Sequence, residues 1–149
     1  MNHQSLVLDA NIAVKILHDE HDSSDAQNLL RACAIQNLSV LVPEHFLYEL
    51  INVCQRLSIE TAQVLKFFEA MEGSILNVVS PDYAAWILAE KIALEGHPKM
   101  GFPSMYDSIY HAIAIRAKAV FVTADKRHFV KTERFSHICL LKDWKMFLV

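Results

Sequence analysis

Four acidic residues occupy positions from which a carboxylate could do chemistry. Asp9 directly follows the apolar run 5–8, and Asp125 follows the run 119–123 with one residue, Ala124, between. Glu49 lies within a helical segment, 43–57, with Asn52 three residues and Arg56 seven residues further along its face, while Asp107 falls in the first turn of a helix opened by Ser104. Carboxylates gathered at the mouth of a cleft suit a hard cation such as Mg²⁺, which prefers oxygen ligands and keeps several waters. An ion so held can activate a water molecule and stabilise charge on a phosphate. Each position also has an ordinary structural reading. Asp9 and Asp125 can be helix N-caps, Ser104-x-x-Asp107 resembles a capping box, and Glu49 can be a solvated helix residue. Spacing alone leaves both readings open.

The elements that must position these groups are legible in outline. Short β-branched or apolar runs at 5–8, 39–42, 75–79, 119–123 and 138–141 read as buried strands, with longer helical segments between them. Strands alternating with helices imply parallel βαβ units in a three-layer α/β domain, where function gathers outside the carboxyl ends of the strands. If their strands are neighbours, Asp9 and Asp125 share one rim. Ser80-Pro81-Asp82 predicts a helix start with Ser80 as the cap, and residues 22–25 predict another; Gly96 is the expected end of the first. Ala85, Leu88, Ala89 and Ile92 give that helix an apolar stripe. No repeat or Pro/Gly/Ser linker divides the chain, so residues 1–149 read as one domain.

The segments Leu6-Val7-Leu8-Asp9-Ala10-Asn11, Tyr48-Glu49-Leu50-Ile51-Asn52, Tyr106-Asp107-Ser108-Ile109-Tyr110-His111 and Val122-Thr123-Ala124-Asp125-Lys126-Arg127 resemble the successive motifs of the PIN-domain nucleases, in particular the small VapC-like ribonuclease toxins of toxin–antitoxin pairs. The likeness runs in order along nearly the whole chain and ends in Leu141-Lys142-Asp143-Trp144. It implies a three-layer α/β/α PIN-like domain with a central, mainly parallel sheet. It also implies an acidic cluster of Asp9, Glu49, Asp107 and Asp125 holding Mg²⁺ or Mn²⁺, supported by Asn11, Asn52 and Thr123. The activity implied is endoribonuclease cleavage by metal-activated water, leaving a 5′-phosphate and a 3′-hydroxyl. A homodimer and an antitoxin laid across an apolar groove, on helices such as 23–37 or 60–72, complete the expectation. One departure is Lys118, where family members commonly carry Gly, so either a modestly strained helix end or another C-cap geometry is expected there. An inactive PIN-type RNA-binding module and a housekeeping RNA-processing nuclease are the alternatives. A phosphatase of Asp-x-Asp type is excluded, because Ala10 and Asn11 follow Asp9.

The charge pattern bears on the substrate. The formal net charge of −3 looks wrong for a nucleic-acid binder, since phosphate is usually met by excess Lys and Arg. Yet residues 115–149 carry eight basic side chains against three acidic ones, and setting aside the four clustered acids leaves the rest slightly basic. Lys126, Arg127 and Lys131 could guide an RNA backbone toward the site, or form an ordinary solvated helix face. His18 and His21 lack further ligand spacing and read as a polar loop; His111, one turn after Asp107, reads as a hydrogen-bonded structural residue or a cleft lining. Three cysteines without CxxC spacing suggest neither disulfides nor a zinc site, and with no apolar run of membrane-spanning length a cytoplasmic protein is expected.

Overall fold

The computed structural model describes residues 4–148. Five short strands, β1 (Ser5–Leu8), β2 (Ser39–Pro43), β3 (Leu76–Val79), β4 (Val120–Thr123) and β5 (Ile138–Leu140), form where the apolar runs predict them. They make one sheet in the order β3-β2-β1-β4-β5, with every pairing parallel. Leu6, Val7, Val120, Phe121 and Val122 are fully buried, as the central strands of a parallel sheet covered on both faces must be.

The connections are α1 (Ala10–Leu17) and α2 (Ser23–Gln36), then α3 (Phe46–Arg56) and α4 (Thr61–Glu72), then α5 (Tyr83–Leu94) and α6 (Met105–Arg116), and finally α7 (Lys126–Thr132); α8 (Lys145–Leu148) closes the chain. Helices on both faces complete a three-layer α/β/α arrangement. The chain leaves β1 toward β2 and leaves β4 toward β5, in opposite directions, so a crevice opens between the carboxyl ends of two adjacent strands. Helix α6 packs on β1, β2 and β4 and against α5, which is why residues 108–114 are buried on every side.

Two helix ends differ from expectation. Helix α5 is capped by Asp82, whose carboxylate accepts the Ala85 N–H at 2.8 Å, while the Ser80 hydroxyl instead donates to Glu44. Asp beyond the proline outcompetes Ser before it, because only Asp82 stands one residue ahead of the first helical turn. Gly96 adopts no left-handed end. It makes room for Phe102, whose ring would lie 2.6 Å from a Cβ at this position. The left-handed glycine is Gly101 (φ +83), in a tight turn closed by reciprocal His97 and Gly101 backbone bonds of 2.8 and 3.0 Å.

Lys118 takes the strained of the two geometries expected of it. At φ 54 it turns the chain out of α6, with the Ala119 N–H returning to Ala114 O at 2.8 Å, a geometry that costs an L-residue roughly 1 kcal/mol relative to Gly. The large exposed apolar side chains are not concentrated where expected. Helices α2 and α4 expose only Ile35 and Leu65 among them, whereas Tyr83, Trp86, Ile87, Met105 and Tyr106 are spread over α5 and the start of α6. Among the described residues no helix is long and apolar enough to cross a membrane.

Candidate active site

Asp9, Glu49, Asp107 and Asp125 line one cavity of about 310 Å³. Four separate elements bring them there. Asp9 ends β1 and caps α1, Asp125 follows β4 and caps α7, Asp107 lies in the first turn of α6, and Glu49 lies on the fourth residue of α3. Asp9, Ser104 and Asp125 are therefore N-caps as read, although Asp107 completes the Ser104 pair through the serine hydroxyl rather than its backbone N–H, and capping is compatible with chemistry. The Asp9 carboxylate accepts the Asn11 N–H at 3.3 Å, and Asp125 Oδ1 accepts the Arg127 and His128 N–H groups at 2.9 and 3.1 Å. Ser104 Oγ accepts the Asp107 N–H and donates to Asp107 Oδ2, both at 3.1 Å. Helix N-termini directed at the cluster offset part of its self-repulsion.

Thr123 ties the two strand-end acids together. Its hydroxyl donates to Asp9 Oδ2 at 2.7 Å and accepts the Asp125 N–H at 3.1 Å, and Asn11 reaches it with Nδ2 at 3.4 Å while Asn11 Oδ1 takes the Ala124 N–H at 3.3 Å. The contacts that join β1 to β4 thus also fix the carboxylates. Asn52 is not part of this set: it is exposed and lies outside the cavity, because its position on α3 turns it past the face that Glu49 presents. Glu49 is met instead by the buried Tyr110 hydroxyl, which donates to Oε2 at 3.5 Å, while Oε1 has no hydrogen-bond partner although His45 Nε2, engaged with Tyr106 O at 3.2 Å, lies 3.1 Å away.

The electrostatics follow from this crowding. Burial, then the neighbouring Asp107, and to a lesser degree Glu49, push Asp9 up to about 7, against the lowering effect of Thr123 and Asn11. Asp107 is also raised, first by burial and then by Glu49 and Asp125, with His128 and Ser104 opposing. Burial and the nearby carboxylates raise the Tyr110 phenol as well, so it stays a neutral donor. A site that resists ionisation without a counter-cation, and whose donors are all carboxylate oxygens, fits a hard divalent ion. Among the described residues no three such side chains converge into a ready-made cage. The carboxylates line the cavity wall, leaving room for the waters that Mg²⁺ keeps.

Thr123→Val tests this support: Mg²⁺ affinity is expected to fall about ten- to hundredfold, the usual cost of removing a group that orients a ligand, as calorimetric titration would show. An unchanged affinity would mean that Thr123 serves only the strand pairing.

The basic residues singled out in the sequence lie elsewhere. Lys126 and Arg127 are exposed and Lys131 donates to Phe102 O at 3.3 Å, so none of the three lines the acidic cavity. Its cation is Lys15, on α1, which pairs with Asp22 at 2.8 Å and Glu20 at 3.2 Å at the cavity's edge. His111 is fully buried with Nε2 2.6 Å from Ser136 O, and burial depresses it to about 4, so it is a neutral structural residue. His18 and His21 lie in the α1–α2 loop without a metal grouping among the described residues. Sequence reasoning passed over Lys15, Tyr110 and His128. The spacing of Tyr110 and His128, three residues after Asp107 and Asp125, was the available signal.

A larger cavity of about 470 Å³, sharing no lining residue with this one, is lined by Pro43, His45, Trp86, Met105, Tyr106 and Ile109 together with Glu44 and Pro81. It is mainly apolar and holds one carboxylate, so the smaller cavity is the one equipped for ionic chemistry.

Similar architecture occurs in known structures. VapBC2 from Rickettsia felis, solved bound to a DNA fragment from its promoter, matches at a TM-score of 0.67 and 19% identity over 91% of this chain and 96% of that one. A DNA-bound VapBC from Salmonella typhimurium matches at 0.65 and 20% over 94% and 97%. VapC20 from Mycobacterium tuberculosis, described as a toxin that cleaves the sarcin–ricin loop, matches at 0.60 and 12% over 76% and 84%. No match is found among curated proteins. The PIN domain model covers residues 6–134, from the strand that delivers Asp9 to the turn beyond the helix that Asp125 caps, and on that match the chain belongs to the PIN domain family.

Proposed function

We propose that the protein is a divalent-metal-dependent endoribonuclease, the toxin of a toxin–antitoxin pair. The observation that carries this reading is the meeting of four carboxylates from four separate elements in one cavity at the carboxyl edge of a parallel sheet. Asp9, Glu49, Asp107 and Asp125 would hold Mg²⁺ or Mn²⁺. Bound there, such an ion would supply Lewis-acid charge at the phosphate and would lower the pKa of the attacking water. The chain's own residues hold and orient: Thr123 and the Asn11 N–H fix Asp9, Ser104 fixes Asp107, and Tyr110 fixes Glu49. In-line attack of water on phosphorus breaks the bond to the 3′-oxygen, giving a 5′-phosphate and a 3′-hydroxyl. No side-chain nucleophile takes part.

Lys126 and Arg127, exposed just beyond Asp125, would meet the RNA backbone outside the cavity, with Lys131 behind them. The toxin–antitoxin assignment rests on the likeness to VapBC structures, and an antitoxin and a second copy of the chain are the partners it brings. The apolar side chains on α5 and the start of α6 offer a surface for one of these. Three buried free cysteines suit a reducing cytoplasm.

The deciding experiment incubates purified protein with structured and unstructured RNAs in Mg²⁺, Mn²⁺ or EDTA. Cleavage is expected with either metal and none in EDTA. Cleavage that persists in EDTA would rule the mechanism out, and RNA that is bound but uncut in both metals would leave a binding module.

A further inference from the structure

His128 sits on the first turn of α7, 3% exposed, with its ring edge-on to Phe121 at 5.8 Å and to His111 at 6.4 Å. Neither ring nitrogen has a hydrogen-bond partner, although both are out of reach of solvent. A neutral imidazole carries one N–H and one lone pair, and leaving both unmet in the interior is costly. The neighbouring His111 also leaves Nδ1 unmet, but its Nε2 has Ser136 O at 2.6 Å, so His128 is the ring with neither nitrogen paired. Orphaned buried polar groups ask for an explanation.

The charged atom that faces the His128 ring is Asp107 Oδ2, 4.0 Å from Nδ1. A movement of about 1 Å would bring that pair within hydrogen-bond range. Ser104 Oγ also meets Asp107 at Oδ2, so the carboxylate's supports lie on one side, leaving Oδ1 for a ligand. The same residue touches a second acid, for the His128 backbone N–H donates to Asp125 Oδ1 at 3.1 Å.

We propose that His128 is a positioning residue of the metal site: its neutral ring donates Nδ1–H to Asp107 Oδ2 once the carboxylates are drawn in around a divalent cation, so that one residue sets the spacing of Asp107 and Asp125. The inference rests on the nuclease reading, in that Asp107 must be a ligand. It requires no change of charge on the ring. Neutralising the mutual repulsion of the acids favours their closer approach, and a shift of about 1 Å completes the bond.

The test uses the full chain at fixed pH 7.5. Mn²⁺ affinity is measured by calorimetry for the parent protein and for His128→Phe, His128→Asn and His128→Gln, with thermal melts to establish that each is folded. Phe fills the space without a donor and is expected to lose about ten- to hundredfold in affinity. Asn places its amide nitrogen near the position of Nδ1 and is expected to recover most of the loss, whereas Gln, whose amide mimics Nε2, is not. A folded His128→Phe that binds Mn²⁺ within twofold of the parent overturns the proposal, as does rescue by Gln in place of Asn. Should the variants fail to fold, nitrogen-15 NMR of the parent decides: Mg²⁺ is expected to produce a slowly exchanging proton on His128 Nδ1, and an Nδ1 that stays an acceptor overturns the proposal. Absence of any metal binding by the parent would overturn the nuclease reading itself, and this inference with it.

Discussion

Asp9→Asn is expected to lose metal-dependent RNA cleavage by more than about a hundredfold while making the metal-free protein more stable at pH 8. The first effect follows from its place. Asp9 is 5% exposed at the carboxyl end of β1 and lines the cavity with Glu49, Asp107 and Asp125, and with Glu20 at its edge, so its loss should exceed the ten- to hundredfold typical of residues that only support a ligand. The second follows from its environment. A carboxyl pushed up to about 7 in the fold, by burial first and by Asp107 and Glu49 next, is strained when ionised at pH 8. The neutral amide removes that strain, for a gain on the order of 2 kcal/mol once the two hydrogen bonds it makes less well are deducted. Cleavage assays and chemical denaturation of the metal-free proteins give the two readings. A variant that keeps full activity would dismiss Asp9 as a ligand; a variant less stable than the parent at pH 8 would show that the Thr123 bond outweighs the repulsion.

Magnesium is expected to stabilise the protein strongly at pH 8 and hardly at all at pH 5. Because the Asp9 pKa is raised in the fold, the metal-free folded state holds a proton that the unfolded chain gives up near the ordinary carboxylate value, so stability falls as pH rises from about 4 to about 7. Asp107 acts in the same direction. The buried histidines act oppositely. Burial depresses His111 to about 4, so its contribution is present above the ordinary histidine value and is lost as pH falls from about 6.5 to about 4. Burial lowers His128 as well. In the metal-free protein these opposed terms flatten the profile between pH 4 and 6.5. A divalent cation that keeps the acids ionised removes only the first pair, and saturation at about a hundred times Kd adds roughly 2.7 kcal/mol. Melting curves with and without Mg²⁺ at the two pH values measure this. An equal shift at both would mean that the ion binds somewhere other than among these carboxylates.

All five strands were legible in the sequence, because apolar runs bounded by caps report burial directly, whereas the shared rim of Asp9 and Asp125 depended on β1 and β4 being neighbours, which only the sheet order supplies. The caps themselves were harder. Ser80 and Asp82 both suit an N-cap, and only the backbone decides which one precedes the first turn. Gly96 has the composition of a helix terminator, yet its role depends on Phe102, six residues away, which no local rule anticipates. Asn52 shares a helix with Glu49, but three residues on α3 carry it out of the cavity, so helical spacing gave the right element and the wrong face. The cation at the cavity's edge shows the same limit: Lys15 comes from α1, far in sequence from the basic residues near Asp125 that drew attention. His128 escaped notice because its function, as inferred above, depends on a distance to Asp107 that spans separate elements.

The pairing of β1 with β4 has a bearing on the order in which the site is assembled. Asp9 and its Thr123 partner are 114 residues apart, and β1 pairs with β4 across all of the chain between them. On the ribosome the first acid emerges early and waits for the strand that buries its neighbours and for Asp125 beyond it. Contacts of such long range close late, after the intervening chain exists. A nascent chain built this way lacks its complete set of carboxylates until β4 and Asp125 have emerged, so the first acid alone cannot gather the cavity's charge.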